Sequence, residues 1–316
     1  MIGQLSKAEA RDAQPSVARQ TVGEAIARAR RQLAGASIAA AGLEARLLTM
    51  HVLGCQMATL IGYPERTMYA RAADRLEDLV RRRAAHEPLA YLLGEREFWS
   101  LAFRVTPATL IPRPESETLI EVALKGAADP SAPLRILDLG TGSGCLLLSL
   151  LSELPNARGI GVDLSQAAIV VASDNALRLG LAERAAFVRS DWAAAISGRF
   201  DIVVCNPPYI ADAEWADLAA DIRAFEPALA LLAGPDGLDA YWQVLPELPR
   251  LLCPGGSACL EIGAAMAPEV TRLAADAGLQ VIETAVDLEG RPRCLRLAGG
   301  GQEEEKNSLG NKVLPV

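Results

Sequence analysis

Asn206-Pro207-Pro208-Tyr209 is the segment whose residue types could do the most specific chemistry. It follows the apolar run Phe200-Asp201-Ile202-Val203-Val204-Cys205, which reads as a buried strand. Two prolines have no N–H to give a sheet ladder, so the strand stops at its carboxyl end. In open α/β sheets that edge is where ligands bind. An amide, two rigid residues and an aromatic ring there suit the gripping of a small planar group. An isolated Asn-Pro is an ordinary strand-to-loop turn; the full tetrapeptide behind a buried strand asks for more.

A second constellation lies upstream. The short strand Leu134-Arg135-Ile136-Leu137-Asp138-Leu139 runs into Gly140-Thr141-Gly142-Ser143-Gly144 and then an apolar helix from about Cys145 to Leu151. The glycines let backbone approach a ligand with no Cβ in the way, and the helix start offers free N–H groups. Gly159-Ile160-Gly161-Val162-Asp163 reads as the next strand, ending in an acid placed to accept hydrogen bonds from ribose hydroxyls. This unit fits an adenosine-containing cofactor. The dinucleotide fingerprint is spaced G-x-G-x-x-G; the spacing here is G-x-G-x-G with Asp138 ahead of it, which would repel a diphosphate and suits a cofactor that carries an ammonium group instead. A ligand-free strand–helix turn is the plain alternative.

These residues need a scaffold, and the chain supplies the pattern of one. From Leu134 onward strands and helices alternate, the mark of an α/β fold with a parallel sheet covered on both faces. Seven strands fall near 134–139, 158–163, 185–189, 200–205, 256–262, 279–286 and 293–297. Ahead of them, Glu97 to Val105 alternates aromatic and β-favouring residues and reads as a hairpin. Further upstream, Thr21 and Glu24 form a capping box for a helix to about Leu33, with more helices near 43–53 and 67–86 broken at Gly54 and Pro64. The organisation read from the sequence is a loose N-terminus (1–20), a small helical bundle (21–90), a β-hairpin linker (91–112), the α/β domain (113–297) and a disordered tail (298–316).

Composition sets limits. At 316 residues and 51 % hydrophobic the chain has room for two cores. It has no uninterrupted apolar stretch of membrane-spanning length and no signal-peptide pattern, so a cytoplasmic protein that does not engage membrane is expected. None of the six cysteines forms a C-x-x-C pair, which reads as free thiols. Only two histidines occur, His51 and His86, both remote from the motifs, so no metal site and no Ser-His-Asp triad is expected. Residues 1–90 hold 13 Lys and Arg against 9 Asp and Glu; residues 91–316 hold 18 against 30. An acidic C-terminal part argues against DNA, whose phosphates call for Lys and Arg. The basic N-terminal part, densest at Arg81-Arg82-Arg83, suits an acidic protein surface or is simply a solvated helix face.

Asp138 to Gly144, Asp163, Asp191-Trp192 and Asn206 to Tyr209 together resemble the class I S-adenosylmethionine methyltransferases that modify planar nitrogens. Ile111-Pro112-Arg113-Pro114-Glu115-Ser116-Glu117 is similar to the signature of the peptide chain release factor glutamine N5-methyltransferases, and the resemblance runs over about residues 20–297. It implies a Rossmann-like seven-stranded domain whose last strand is antiparallel, preceded by a helical substrate-recognition domain. It implies S-adenosyl-L-methionine as cofactor, held by Asp138, Leu139, Gly140, Thr141, Gly142, Gly144, Asp163, Asp191, Trp192 and Asn206, with Trp192 beside the adenine or serving as a core aromatic. It implies catalysis by Asn206, Pro207 and Tyr209, with Arg113, Glu115 and Pro208 joining them around the substrate, a Gly-Gly-Gln glutamine of a release factor. A monomer is expected. Ribosomal-protein glutamine methyltransferases share Asn-Pro-Pro-Tyr but differ after Pro-Arg, and nucleic-acid adenine N6 methyltransferases share it too. An NAD-dependent dehydrogenase or binding protein would leave Asn206 to Tyr209 without a role. Gly290-Arg291-Pro292-Arg293 stands where relatives often have Gly-Arg-Asp-Arg, and no role is carried onto it.

The tail holds Gly300-Gly301-Gln302, the tripeptide such enzymes act on. If Gln302 visits its own or a neighbour's site, purified protein incubated with cofactor gains one methyl mass on the tail peptide. Mass spectrometry showing no gain sinks the idea.

Overall fold

The computed structural model describes residues 20–299. Residues 1–19 of the expected N-terminal segment, and the tail from residue 300 with Gln302, lie outside the described residues. The chain divides into two compact units between Leu92 and Leu93.

The first unit is helical: α1 (Val22–Gly35), α2 (Ala41–Leu53), α3 (Met57–Gly62) and α4 (Ala70–Ala84), with α5 (Leu89–Leu93) at the boundary in sequence. The capping box forms as read, with Thr21 Oγ1 accepting from the Glu24 N–H at 3.2 Å and Glu24 Oε2 from the Thr21 N–H at 2.7 Å. Gly54 ends α2 in the left-handed region. The short α3 fills a stretch left unassigned by the sequence pattern. Leu33, Ala45 and Leu48 are fully buried. The arginine cluster is engaged internally: Arg83 meets the buried Glu44 at 2.6 Å, Arg82 meets Glu87 at 2.8 Å, and Arg81 pairs with Asp78.

The second unit opens with the hairpin β1 (Glu95–Phe98) and β2 (Leu101–Arg104), joined by Trp99 and Ser100, both at positive φ as a two-residue primed turn requires. Phe98 and Phe103 pack edge to face, 6.3 Å between centroids. The buried Asn175 ties the hairpin to the glycine loop: its Oδ1 accepts from the Arg104 N–H, and its Nδ2 donates to the Arg104 and Ser143 carbonyls.

The rest is a covered sheet. In chain order it comprises α6 (Glu117–Gly126), β3 (Arg135–Leu139), α7 (Cys145–Glu153), β4 (Arg158–Asp163), α8 (Gln166–Arg178), β5 (Ala185–Arg189), β6 (Phe200–Cys205), α9 (Ala220–Phe225), α10 (Asp239–Val244), α11 (Leu248–Leu251), β7 (Leu252–Glu261), α12 (Ala267–Asp276), β8 (Leu279–Val286) and β9 (Pro292–Gly299). The strand order is β5-β4-β3-β6-β7-β9-β8. Pairs from β5 to β7 are parallel, and β9 lies antiparallel between β7 and β8. The order reverses between β3 and β6, the position where such sheets take ligands. β9 runs to Gly299, two residues into the expected tail.

Alternation divides the strands between two apolar layers. Leu137, Leu139, Val203, Cys205 and Leu260 face the layer built with α10 to α12. Ile136, Ile202, Val204 and Cys259 face the layer built with α6 and α7. The same period sends Asp138, Asn206 and Glu261 to the α6–α7 side at the carboxyl ends of three neighbouring strands.

Candidate active site

The glycine loop is shaped by the strand beside it. The Gly140 and Thr141 N–H groups both donate to the Val162 carbonyl, and the Gly142 N–H donates to Asp163 Oδ2 at 2.9 Å. Gly140, Gly142 and Gly144 all have positive φ, so the loop suits glycine at each. Asp163 Oδ1 accepts from the Ser165 N–H, the N-cap of α8. Each Asp163 oxygen therefore holds one backbone donor and keeps a lone pair.

A cavity of about 400 Å³ opens above this loop. Gly140, Gly142, Asp163, Asp191, Trp192 and Asn206 line it, with Pro208. Trp192 both faces the cavity and packs against the core, so its two readings describe one side chain. It sits at φ +42°, a costly backbone conformation for a bulky residue. Asp138, Leu139, Thr141 and Gly144 stand behind the wall. Asp138 is fully buried, its Oδ2 accepting from Thr141 Oγ1 at 2.6 Å while Oδ1 has no hydrogen-bond partner. Burial pushes its pKa up to about 7, against the pull of the Thr141 hydroxyl, and Asp163 raises it.

A smaller cavity of about 190 Å³ adjoins the first. Asn206 and Pro208 line both, so the tetrapeptide is the partition between them. Arg113, Pro207, Tyr209 and Glu261 line the smaller one. Arg113 reaches the buried Glu226 at 2.5 Å, and Glu226 also accepts from the Ile111 N–H. This pins the Pro112-Arg113-Pro114 segment to the stretch 222–233, which contributes Ala230 to both cavities. Glu115 is half-buried and does not line either cavity.

Three residues here were given no role by the sequence: Ser116, which stands within the Ile111–Glu117 segment, Glu226 and Glu261. Asn206 Nδ2 donates to Ser116 Oγ at 3.1 Å, Ser116 Oγ donates to Glu261 Oε2 at 2.5 Å, and Tyr209 OH donates to Glu261 Oε1 at 3.4 Å. Burial pushes the Glu261 pKa up to about 7, against the pull of Ser116, Arg293 and Tyr209. Burial and Glu261 push Tyr209 up to about 12. Glu261 had a readable mark: it is an acid ending an apolar strand, as Asp138 and Asp163 are. Arg291 and Arg293 of the unassigned Gly-Arg-Pro-Arg segment both pair with Asp287, at 3.3 Å and 3.1 Å. Among the described residues no group of three or more His, Cys, Asp or Glu side chains is placed to hold a metal, and no helix is long and apolar enough to cross a membrane.

Residues 24–94 match the model of the PrmC N-terminal domain, and residues 118–234 that of the methyltransferase small domain. The release factor glutamine methyltransferase of Cereibacter sphaeroides is 47 % identical over 262 residues, which cover 83 % of this chain and 92 % of that one. This chain belongs to the release factor glutamine methyltransferase family. The enzyme of that name from Bradyrhizobium diazoefficiens is 42 % identical over 89 % of this chain and 97 % of its own. The hMettl16 catalytic domain, solved in complex with MAT2A 3'UTR hairpin 6, shares the fold at a TM-score of 0.50, with 19 % identity over 72 % of this chain and 83 % of that one.

Two predictions follow from the packing. Gly237 has φ +75°, and a Cβ there would lie 2.4 Å from the Tyr209 carbonyl oxygen. Gly237→Ala therefore displaces Tyr209, and lowers both the thermal unfolding midpoint and activity; an unchanged midpoint refutes the close approach. Asp138 in the folded protein holds a proton that the unfolded chain has lost, between its ordinary value of 3.8 and about 7. Its contribution to stability therefore falls as pH rises through that window, by up to about 1.4 kcal/mol per pH unit. Asp138→Asn removes that titration, so its unfolding midpoint drops less than wild type's between about pH 5 and about pH 8. Equal drops would show that Asp138 titrates normally.

Proposed function

We propose that the protein transfers a methyl group from S-adenosyl-L-methionine to the side-chain amide nitrogen (N5) of the glutamine in a Gly-Gly-Gln segment of peptide chain release factors. The observation that carries this is the partition: Asn206 and Pro208 stand between a cavity of cofactor size and one the size of a single side chain.

The larger cavity fits the cofactor. Its glycine floor presents backbone without Cβ atoms, Asp163 keeps lone pairs for ribose hydroxyls, and Trp192 offers an apolar face for adenine. Behind the loop, Asp138 Oδ1 is a buried acceptor without a partner, suited to answer the ammonium end of an amino acid through the loop. Gly140, Gly142, Asp163, Asp191, Trp192 and Asn206 would hold the cofactor, with Asp138, Leu139, Thr141 and Gly144 shaping the loop. When bound, S-adenosylmethionine supplies an electrophilic methyl group on a sulfonium.

The chain's own residues meet the other half of the problem. An amide nitrogen is a weak nucleophile because its lone pair is delocalised into the carbonyl. Its two N–H groups need two acceptors, roles that fall in this reading to Asn206 Oδ1 and the Pro207 carbonyl, both residues lining the smaller cavity. As the nitrogen gains positive character its hydrogens become better donors, so both acceptors bind the transition state more strongly than the ground state. Pro207 and Pro208 hold the backbone with little reorganisation. Tyr209, packed against the core, walls the small cavity and would lie against the amide plane. Arg113, held by Glu226, orders the rim, and Glu115 shapes the turn that carries Ser116. The helical first unit would engage the release factor.

Labelled cofactor with a release factor in one arm and nucleic acid in the other tests this reading. Label is expected in the Gly-Gly-Gln peptide; label in nucleic acid alone overturns it. Asn206→Ala is expected to lower transfer by on the order of 100-fold or more while cofactor binding is partly kept. Wild-type turnover in that variant removes the proposed clamp.

A further inference from the structure

We propose that Glu261 is a positioning residue: acting through Ser116, it fixes which end of the Asn206 side-chain amide faces the smaller cavity. The inference rests on the methyl-transfer reading, because it concerns the acceptor that reading assigns to Asn206.

The argument is one of donors and acceptors. An amide has a carbonyl end and an NH₂ end of nearly the same shape, and its surroundings decide between them. Register places Asn206 and Glu261 side by side: Cys205 pairs with Leu260, so the next residues on β6 and β7 project to the same face. Ser116, buried at the start of α6, sits between them. A carboxylate at 261 only accepts, so the Ser116 hydroxyl must point its hydrogen at Glu261 Oε2. The Ser116 oxygen then offers Asn206 only lone pairs. Asn206 must turn its NH₂ end to Ser116, which leaves Oδ1 as the end available to the cavity. That is the end a substrate N–H requires.

Protonation reverses the chain. A neutral Glu261 can donate to Ser116 Oγ, whose hydrogen then turns toward Asn206. The favoured amide orientation becomes carbonyl to Ser116 and NH₂ to the cavity, where it faces the substrate NH₂ donor to donor. The groups around Glu261 bear on the position of this switch. They are Arg113 and Glu115 ahead of α6, Arg293 and Cys294 on β9, Tyr209 beyond β6, Cys205 on β6, Cys145 on α7 and Tyr241 on α10. The two cations among them are each paired elsewhere, Arg293 with Asp287 and Arg113 with Glu226. Tyr241 OH bonds the Glu261 backbone carbonyl at 2.9 Å and fixes the strand end. Burial outweighs these partners and sets the carboxyl near 7. The carboxylate, the form that orients Asn206 for transfer, predominates above that value, so activity rises with pH through about 7.

The test has two arms. In the first, kcat and KM for a release factor are measured from about pH 5.5 to about pH 9 for wild type, Glu261→Gln and Ser116→Ala. Wild-type kcat is expected to fall about tenfold from about pH 8 to about pH 6. Both variants are expected to lose this limb, with kcat at about pH 8 lowered by about tenfold and cofactor affinity unchanged. A Glu261→Gln enzyme with wild-type kcat and the same acid limb overturns the proposal. In the second arm, the Asn206 side-chain NH₂ signals of ¹⁵N-labelled wild type, without substrate, are followed by NMR across pH 7. They are expected to shift with the Glu261 midpoint in wild type and to stay still in Ser116→Ala; signals that do not move in wild type overturn the proposal even if Glu261→Gln fails to fold. An inactive wild type whose NH₂ signals still titrate would instead sink the methyl-transfer reading and leave the relay standing.

Discussion

The two-residue period of a buried parallel sheet is the constraint on which the site depends. Asp138, Asn206 and Glu261 lie at or next to the carboxyl ends of three adjacent strands, and each falls on the α6–α7 side because its apolar neighbours alternate there. Shifting any of the three strands by one residue would turn its polar end into the opposite layer and expose its core set. The packing energy of the core thus fixes the register of the chemistry. The loop bonds to Val162 and Asp163, and the Asn175 clamp on Ser143, hold the one segment that alternation does not reach.

This arrangement works against stability. Asp138 and Glu261 are buried carboxyls whose charged forms are disfavoured, and Trp192 occupies a left-handed backbone conformation. Strain and desolvation of this kind persist only where surrounding structure overdetermines them. Here the surroundings are two fully packed apolar layers, including Leu137, Leu139, Leu147 and Val203. A neighbouring ion pair is treated differently: Asp287, held by Arg291, Arg293 and two backbone N–H groups, has its pKa drawn down to about 2. The same residue type moves in opposite directions according to whether its partners match its charge.

Much of this was readable in the chain, for identifiable reasons. Asn206 to Tyr209 and the glycine loop interrupt strand patterns, and interruptions at strand ends stand out. The seven strands were visible as apolar runs, and Thr21 with Glu24 as a reciprocal cap. Less visible was anything set by neighbours distant in sequence. Ser116 and Glu261 are 145 residues apart, and Arg113 and Glu226 are 113 apart. No local pattern marks such pairs. Asp138 was recognised by type, yet its place behind the loop rather than in the cavity follows from side-chain direction along β3. The short helices between β6 and β7 were missed because six-residue segments carry too little periodicity.

The direction of β9 has a topological consequence. It begins beside Glu261 and, running against its neighbours, delivers Gly299 to the far rim of the sheet, opposite the start of β8. Gly299 lies five residue steps beyond Cys294, which is level with Glu261, a span of about 17 Å along the strand. Gly299 therefore stands at the rim of the sheet opposite the one that bears Asn206 and Glu261.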